Sequence, residues 1–145
     1  MIITVPGRPI PKARPRVFKN RTITPKRTKD YEARIASAVR AAWSGKPIPK
    51  NTGVVVYLDF HFTRPQRLNR KKDPQLPIPK TSRPDIDNLA KSILDGITRA
   101  GVWHDDGQVQ SLIARKWYTG KPSANMGRER VVIRIDVCES GDANV

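Results

Sequence analysis

Apolar residues along the chain recur with two different spacings, which separate the predicted helices from the predicted strands. In residues 26–43 and 87–100 they return every three or four positions, the spacing of an amphipathic helix. Gly101 follows the second of these segments and suits a helix C-terminus. Residues 53–62 instead alternate, which predicts a strand with Val, Leu and Phe on one face. Further strands are predicted at residues 2–5, 108–118 and 130–138, and two short extended pieces within residues 14–25 surround a turn at Asn20.

This order of elements predicts an α+β fold, in which a small mixed β-sheet carries two main helices. The chain shows no internal repeat and no domain boundary, so we expect residues 1–145 to form a single domain. Residues 64–83 contain four prolines and no useful periodicity, which predicts a long basic loop. Residues 139–145 are expected to form a tail.

The composition is strongly basic, with 28 lysine and arginine residues against 13 aspartate and glutamate residues and a formal net charge of +15. Such a charge attracts polyanions, and nucleic acid is the first partner to consider because each neutralised phosphate releases counterions. An acidic membrane surface is the alternative, but no basic amphipathic helix is obvious, and separately no apolar run approaches the roughly 20 residues that span a bilayer. A single cysteine excludes an internal disulfide framework, and a reducing cytoplasm is the expected location.

The positive charge is concentrated in two segments. Residues 1–30 carry nine basic residues against Asp30 alone, and residues 64–83 carry seven against Asp73. We expect these segments to hold DNA phosphates, although the second could equally be a solvated linker. The candidate contacts are Arg14, Arg16, Lys19, Arg67, Arg70, Lys71, Lys72, Lys80 and Arg83.

The acidic residues are also unevenly placed, because five of the thirteen fall within residues 83–106. Pro84 disfavours a helical conformation for the residue before it, so Asp85 and Asp87 are expected at the entrance of the second helix. Residues two positions apart point the same way in an extended segment. The two carboxylates can therefore converge if they lie at the entrance rather than within the helix.

The chain that follows this helix can bring a third carboxylate to the same place. The helix is about 21 Å long at about 1.5 Å per residue, and six extended residues after it span up to about 20 Å. A tight reversal at Gly101 would therefore place Asp105 or Asp106 beside the helix N-terminus. Carboxylates that share a site repel one another unless a hard cation binds, and an all-oxygen set suits Mg²⁺ or Mn²⁺.

Lys91 lies four residues after Asp87, on the same side of the predicted helix. One interpretation is a surface ladder of Asp87, Lys91 and Asp95, and another makes Asp87 the helix N-cap. The functional interpretation is that Lys91 faces a scissile phosphate and stabilises charge in the transition state. With a metal that activates water, this set describes a phosphodiester-cleaving nuclease.

The segment "RPDIDNLAKSILDGI", followed by "AGVWHDDGQV", closely resembles the core motif of the RusA family of Holliday junction resolvases. The match is tight over residues 83–109 and looser over the basic N-terminal part and the strand at 53–62. The resemblance implies a RusA-like fold and a homodimeric, Mg²⁺-dependent endodeoxyribonuclease that makes paired nicks at four-way DNA junctions. It also implies a role in DNA recombination and repair in a bacterial host, with a phage or prophage origin.

Carried over residue by residue, the resemblance assigns the first two family carboxylates to Asp85 and Asp87 and the motif's lysine to Lys91. The third essential carboxylate corresponds to Asp106, and Asp105 is its less certain neighbour. One departure is the basic, proline-rich stretch at 64–83, which is longer than in compact members of the family. It bears on the DNA contacts and the sequence preference more than on the metal site.

Other side chains carry weaker predictions. Asp59 and His61 share a strand face and could border the site, but a half-buried sheet face is the preferred interpretation. The tryptophans are expected to pack in the core, Trp103 over the return strand, and His104 is interpreted as a loop residue. The apolar stripe of the first helix is a candidate dimer surface. An aromatic ring could stack on an opened base at a junction centre, but the sequence selects no particular ring.

Two alternatives compete with the resolvase. One is a noncatalytic, basic nucleic-acid-binding protein, whose acidic segment is only a capped helix with surface ion pairs. The other is a metal-dependent nuclease of broader range, which acts on flaps or duplex DNA. Dependence of cleavage on Mg²⁺ separates the first from the resolvase, and a panel of DNA substrates separates the second.

Overall fold

The computed structural model describes residues 1–121 and 127–138, and the predicted tail at 139–145 lies outside them. Two helices pack on a five-stranded sheet, so the α+β prediction is confirmed. A short 3-10 turn stands within the predicted basic loop and another precedes β6. The strands are β1 (Ile2–Pro6), β2 (Arg16–Phe18), β3 (Arg21–Ile23), β4 (Val54–Phe62), β5 (Ile78–Pro79), β6 (Val109–Tyr118) and β7 (Arg130–Val137). The helices are α1 (Lys26–Ala42) and α2 (Ile86–Ala100), and the 3-10 turns span Gln66–Leu68 and Asp106–Gln108.

The sheet is mixed, with the strand order β1-β7-β4-β6-β5. β4 pairs in parallel with β6 and antiparallel with β7, and the two edge pairs are antiparallel. A parallel pair needs a crossover connection, and the chain between β4 and β6 contains α2. The crossover therefore places the acidic segment next to the sheet. β2 and β3 form a separate hairpin.

β4 shows why the sheet carries its helices on one face. Its alternate residues Val54, Val56, Leu58, Phe60 and Phe62 are all buried, and they belong to the same core cluster as the apolar stripes of both helices. The intervening residues from 55 to 59 are only half-buried. The predicted alternation is confirmed, and it separates a helix-covered face from an outer face.

The apolar stripe of α1 is buried within the subunit. Tyr31, Ile35 and Val39 are at most 2% exposed and pack in the common core. The hypothesis that this stripe forms a dimer surface is therefore wrong, because α2 and the sheet already cover it.

The two ends of α2 agree with the pattern of the sequence. Asp85 is the N-cap residue, with extended backbone at φ −71° and ψ 141°, and Asp87 lies in the first turn. Asp87 is therefore not the N-cap, and the Asp85 side chain makes no capping hydrogen bond. Gly101 ends the helix in the left-handed conformation at φ 80°, which is easy for glycine and costly for most other residues. The predicted reversal at this glycine is confirmed.

Candidate active site and nucleic-acid interface

The beginning of α2 presents two exposed carboxylates. Oδ1 of Asp87 accepts a hydrogen bond of 2.9 Å from the backbone N–H of Asn88. Neither Asp85 nor Asp87 forms an ion pair with any residue that the structure describes. Asp85 also lines an open groove of about 600 Å³, together with Arg8, Pro11, Lys12, Arg14, Arg83, Pro84 and Asn88. A carboxylate at the helix entrance thus faces a groove in which the other charged groups are cationic.

Residues 101–106, the return run, bring Asp106 back to α2. Trp103 anchors this run, because its ring is buried and its Nε1 donates a 2.6 Å hydrogen bond to Oγ1 of Thr98. Asp106 then lies within reach of Lys91, whose Nζ is 3.0 Å from Oδ2 of that carboxylate. The sequence-based expectation that a residue of the double aspartate returns to the helix is met by Asp106.

Asp105 faces another part of the surface. Its carboxylate lies against Gly107 and lines a cavity of about 780 Å³ with His104 and residues 50–53. The side-chain oxygen of Gln108 accepts hydrogen bonds from the backbone N–H groups of His104 and Asp105, at 2.8 and 3.3 Å. These bonds fix the turn that aims Asp106 at α2, and they keep His104 in the loop position expected for it.

Lys91 is the middle of a chain of alternating charges. Its Nζ lies 3.0 Å from Asp106 and 3.1 Å from Oδ1 of Asp95, and both hydrogen bonds raise the pKa of Lys91. Oδ2 of Asp95 is 3.0 Å from Nζ of Lys12, which also pairs with Glu32. Burial lowers the pKa of Lys12, but its two carboxylate partners outweigh that effect and raise it overall. The chain therefore ties the N-terminal segment, α1, α2 and the return run together.

This arrangement revises the predicted surface ladder. Lys91 pairs with Asp95 as the ladder required, but its second partner is Asp106 rather than Asp87. Asp95, which sequence reasoning left outside the site, holds Lys91 and Lys12 in place. Lys12 was missed because it lies in a run of basic residues with no acidic residue near it in the sequence. Its ion-pair partners, Glu32 and Asp95, lie far along the chain.

The three predicted metal ligands do not form a ready coordination group. Within residues 1–121 and 127–138, no set of three or more histidine, cysteine, aspartate or glutamate side chains is placed to hold a metal ion. Asp106 is paired with Lys91, whereas Asp85 and Asp87 lie at the entrance of α2. Unbalanced carboxylates repel one another, so an ion pair with a lysine is a physically reasonable arrangement for Asp106.

The basic loop at 64–83 is a fixed structure rather than a solvated linker. Arg64 is buried, and its guanidinium donates hydrogen bonds to the carbonyl oxygens of Thr119, Leu68 and Leu76 at 2.7, 3.0 and 2.6 Å. Lys121 adds a bond of 2.8 Å from Nζ to the carbonyl oxygen of Arg70. The loop is therefore held at several points along its length.

The candidate phosphate contacts in this loop differ in how available they are. Lys71, Lys72 and Arg67 are exposed. Arg70 forms an ion pair with Asp73 at 3.2 Å, and Lys80 donates a 2.7 Å hydrogen bond to Oγ of Ser82 and lies 4.7 Å from the centre of the Tyr118 ring. The remaining candidate contacts are also exposed: Arg83 at the end of the loop, and Arg14, Arg16 and Lys19 in the N-terminal segment.

Asp59 and His61 lie on the outer face of the sheet, away from α2. Asp59 accepts hydrogen bonds from Arg115 and from Nε1 of Trp117, at 2.9 and 2.8 Å. His61 is only 7% exposed, its Nδ1 has no hydrogen-bond partner in the structure, and burial, reinforced by Arg130, lowers its pKa to about 4. These residues belong to a half-buried sheet face, as preferred from the sequence.

Among the described residues, neither helix is both long and apolar enough to cross a bilayer.

Comparison with known proteins identifies the family of the chain. A search of curated proteins gave no match. The family model described as "Endodeoxyribonuclease RusA" matches residues 6–135 of the 145-residue chain, a span that holds the groove, α2 and the return run. The chain belongs to the RusA family of endodeoxyribonucleases, the Holliday junction resolvases that its motif resembles.

Proposed function

We propose that the protein resolves four-way DNA junctions by paired, symmetric nicks in a reaction that depends on a divalent metal. The observation that supports this most strongly is the return of Asp106 to α2 beside Lys91, in a chain of the RusA family. We further propose that it acts in DNA recombination and repair in the cytoplasm of a bacterial host, and that it is encoded by a phage or prophage.

The donor chemistry at the helix entrance fits a hard cation. Asp85, Asp87 and Asp106 offer only carboxylate oxygens, and the first two have no cationic partner among the described residues. We propose these three as the metal ligands, with Mg²⁺ as the metal and Mn²⁺ as a substitute, and leave out Asp105, which faces the cavity beside residues 50–53. When bound, such a cation supplies an activated water and neutralises phosphoryl oxygens.

Lys91 has two tasks in this proposal. Its ammonium group stays protonated, because the hydrogen bonds that it donates to Asp106 and Asp95 raise its pKa. In the DNA-free protein it holds the carboxylate of Asp106 beside α2 through Oδ2. When the scissile phosphate enters, the same positive charge stabilises the negative charge that develops in the transition state.

The groove beside Asp85 is the proposed path of the DNA backbone. Its exposed side chains Arg14 and Arg83 can neutralise phosphates next to the carboxylates, whereas Lys12 is already paired with Glu32 and Asp95. We propose further phosphate contacts for Arg16 and Lys19, which follow the groove residue Arg14 in the sequence. We propose the same role for basic residues of the fixed loop, namely Arg67, Arg70, Lys71, Lys72 and Lys80. The positive surface would gather the DNA, and the acidic cluster would hold the catalytic cation.

A homodimer is proposed because the substrate is pseudo-symmetric. Two active sites related by a two-fold axis can nick two strands of a four-way junction at equivalent positions. The interface is not the α1 stripe, which is buried within one subunit.

One observation favours the noncatalytic alternative. The described residues contain no preformed group of three carboxylates that is placed to hold a metal ion. A DNA-binding protein with surface ion pairs would look similar at this position. It would bind junctions in the same way with and without Mg²⁺ and leave the strands intact.

Cleavage of a substrate panel tests the proposal. A synthetic four-way junction, a flap and a linear duplex of matched sequence are incubated with the protein in Mg²⁺, in Mn²⁺ and in excess chelator. We expect paired nicks in the junction with either metal and none in chelator. Equal cleavage of all three substrates would support the nuclease of broader range, and intact strands under every condition would support the noncatalytic protein.

A further inference from the structure

The β2–β3 hairpin projects apolar side chains into solvent. All six strand residues are exposed, and the turn is made by Lys19 and Asn20, with φ values of 49° and 62°. Two consecutive left-handed residues form the tight turn that suits the twist of a two-residue hairpin. An exposed two-stranded hairpin is marginal alone in water, so its exposed apolar groups call for a partner.

Phe18 is the exposed aromatic residue of the protein. All nine aromatic side chains lie within the described residues, and the other eight are buried or half-buried, whereas Phe18 is 61% exposed. The strand register pairs Phe18 with Arg21 and Arg16 with Ile23. Because directly paired residues and residues two apart share a face, one face of the hairpin carries Phe18 between two arginines.

The opposite face offers a matched comparison. It carries Val17, which is 76% exposed, and its partner Thr22. Val17 is apolar and even more exposed than Phe18, but it lacks a flat ring. At the turn, Nζ of Lys19 lies 5.5 Å from the centre of the Phe18 ring, so a cation stands beside the ring as well.

Charge indicates which partner the hairpin meets. Residues 1–29 contain no acidic side chain, and the hairpin and its turn contribute three cations, Arg16, Lys19 and Arg21. In a contact between two such hairpins, these cations would face the same cations of the second copy and repel them. A polyanion that also presents a flat apolar surface fits both features, and a nucleic-acid base flanked by phosphates has that combination.

We propose that Phe18 stacks on an unstacked base at the branch point of the DNA, while Arg16 and Arg21 contact the phosphates on either side. The inference rests on the proposed function, because it assigns the ring that reads the branch of the same substrate. In a linear duplex the bases are stacked on one another and offer no free face, whereas a branch point does. The hairpin would therefore add preference for branched DNA, beyond the affinity that the basic groove gives to any DNA.

Stacking of one base on an aromatic side chain is worth about 1–3 kcal/mol by alanine substitution, which corresponds to about 5- to 150-fold in affinity. We expect Phe18→Ala to weaken junction binding within that range and to leave linear-duplex binding nearly unchanged. Phe18→Trp should keep the junction affinity, and Val17→Ala should behave as wild type. Because the hairpin is exposed on both faces, all three variants are expected to fold, which circular dichroism checks.

Competition binding measures the affinity of each variant for a junction and for a duplex of matched sequence, in Ca²⁺ so that the DNA is not cleaved. Photocrosslinking then identifies the residue that contacts the branch point. A 5-iodouracil at the branch point should crosslink to Phe18, identified by mass spectrometry, and the same base in a junction arm should not. Equal losses on junction and duplex, the same loss with Val17→Ala, or a crosslink elsewhere in the chain would overturn the proposal. A fall in subunit association by Phe18→Ala without DNA would show that the ring contacts a second subunit instead.

The proposed function can fail separately from this inference. If wild type leaves the junction intact in Mg²⁺, the proposed function fails. If wild type nicks the junction but binds junction and duplex equally, the role of Phe18 in branch preference fails. If wild type prefers and nicks the junction but Phe18→Ala does so with equal affinity, only the role of Phe18 is lost.

Discussion

Replacing Gly96 with alanine should push the two helices apart, although alanine is the better helix former. A Cβ atom built at Gly96 lies 2.7 Å from Cγ2 and 2.8 Å from Cβ of Ile35, and 3.2 Å from the carbonyl oxygen of Glu32. Contacts below 3.0 Å require a shift. The Cβ of Ile35 is fixed by its backbone and cannot rotate away, so one helix must move.

Two opposing effects set the size of the change. Alanine is favoured over glycine in a helix interior by about 1 kcal/mol. Overpacking a filled core typically costs about 1–3 kcal/mol. Since the clash involves Cβ and backbone atoms, we expect a cost at the upper end of that range. After the gain in helix propensity is subtracted, the net loss in the free energy of unfolding is about 1–2 kcal/mol.

Chemical denaturation measures this loss as a lower midpoint with an unchanged slope. Ile35→Ala removes the Cγ2 contact, so Gly96→Ala should cost less in that background. Ile35→Val keeps both contacting atoms and serves as the matched control, in which the cost of Gly96→Ala should persist. A Gly96→Ala variant that is more stable than wild type would refute the close-packing argument.

Three further predictions concern the loop, the outer sheet face and the DNA contacts. Arg64→Met should leave the carbonyl oxygens of Leu68 and Leu76 in the loop, and of Thr119 after β6, without their donor and speed limited proteolysis within residues 65–79; an unchanged cleavage rate would contradict this. His61 has a folded pKa of about 4 against 6.5 in its ordinary state, so stability should be present above pH 6.5 and fall by up to about 3 kcal/mol as the pH drops towards 4. His61→Gln should remove this part of the pH dependence in parallel denaturation series, and an identical dependence in both proteins would count against it. Replacing Lys71 and Lys72 with alanine should reduce the slope of log affinity against log salt by up to about 2, and an unchanged slope would remove these lysines from the interface.

Local patterns predicted most of the fold. The alternation in β4 and the apolar stripe of α2 depend on neighbouring residues alone, and both are read directly from the chain. Gly101 likewise marked the end of α2, because a left-handed residue at a helix end favours glycine. The two-residue strand β5 was missed within the proline-rich segment, since so short a pairing leaves no periodic signal.

Partners that are distant in sequence could not be predicted. Lys91 had acidic neighbours at four positions before and after it and a further one fifteen residues on, and spacing alone does not choose among them. The structure pairs it with Asp95 and Asp106. Arg64 counted as one more cation of a basic loop, because the three carbonyl groups that bury it come together only in the folded chain.

The most direct test of the central claim is single-turnover nicking of a four-way junction in Mg²⁺ by wild type and Asp87→Asn. Asp136→Asn is the matched control, because Asp136 is a carboxylate on β7 that pairs with Arg134 outside the site. We expect Asp87→Asn to bind the junction as wild type does and to nick it at least about 100-fold more slowly, while Asp136→Asn nicks normally. Undiminished nicking by Asp87→Asn would contradict the assignment of the active site to the start of α2.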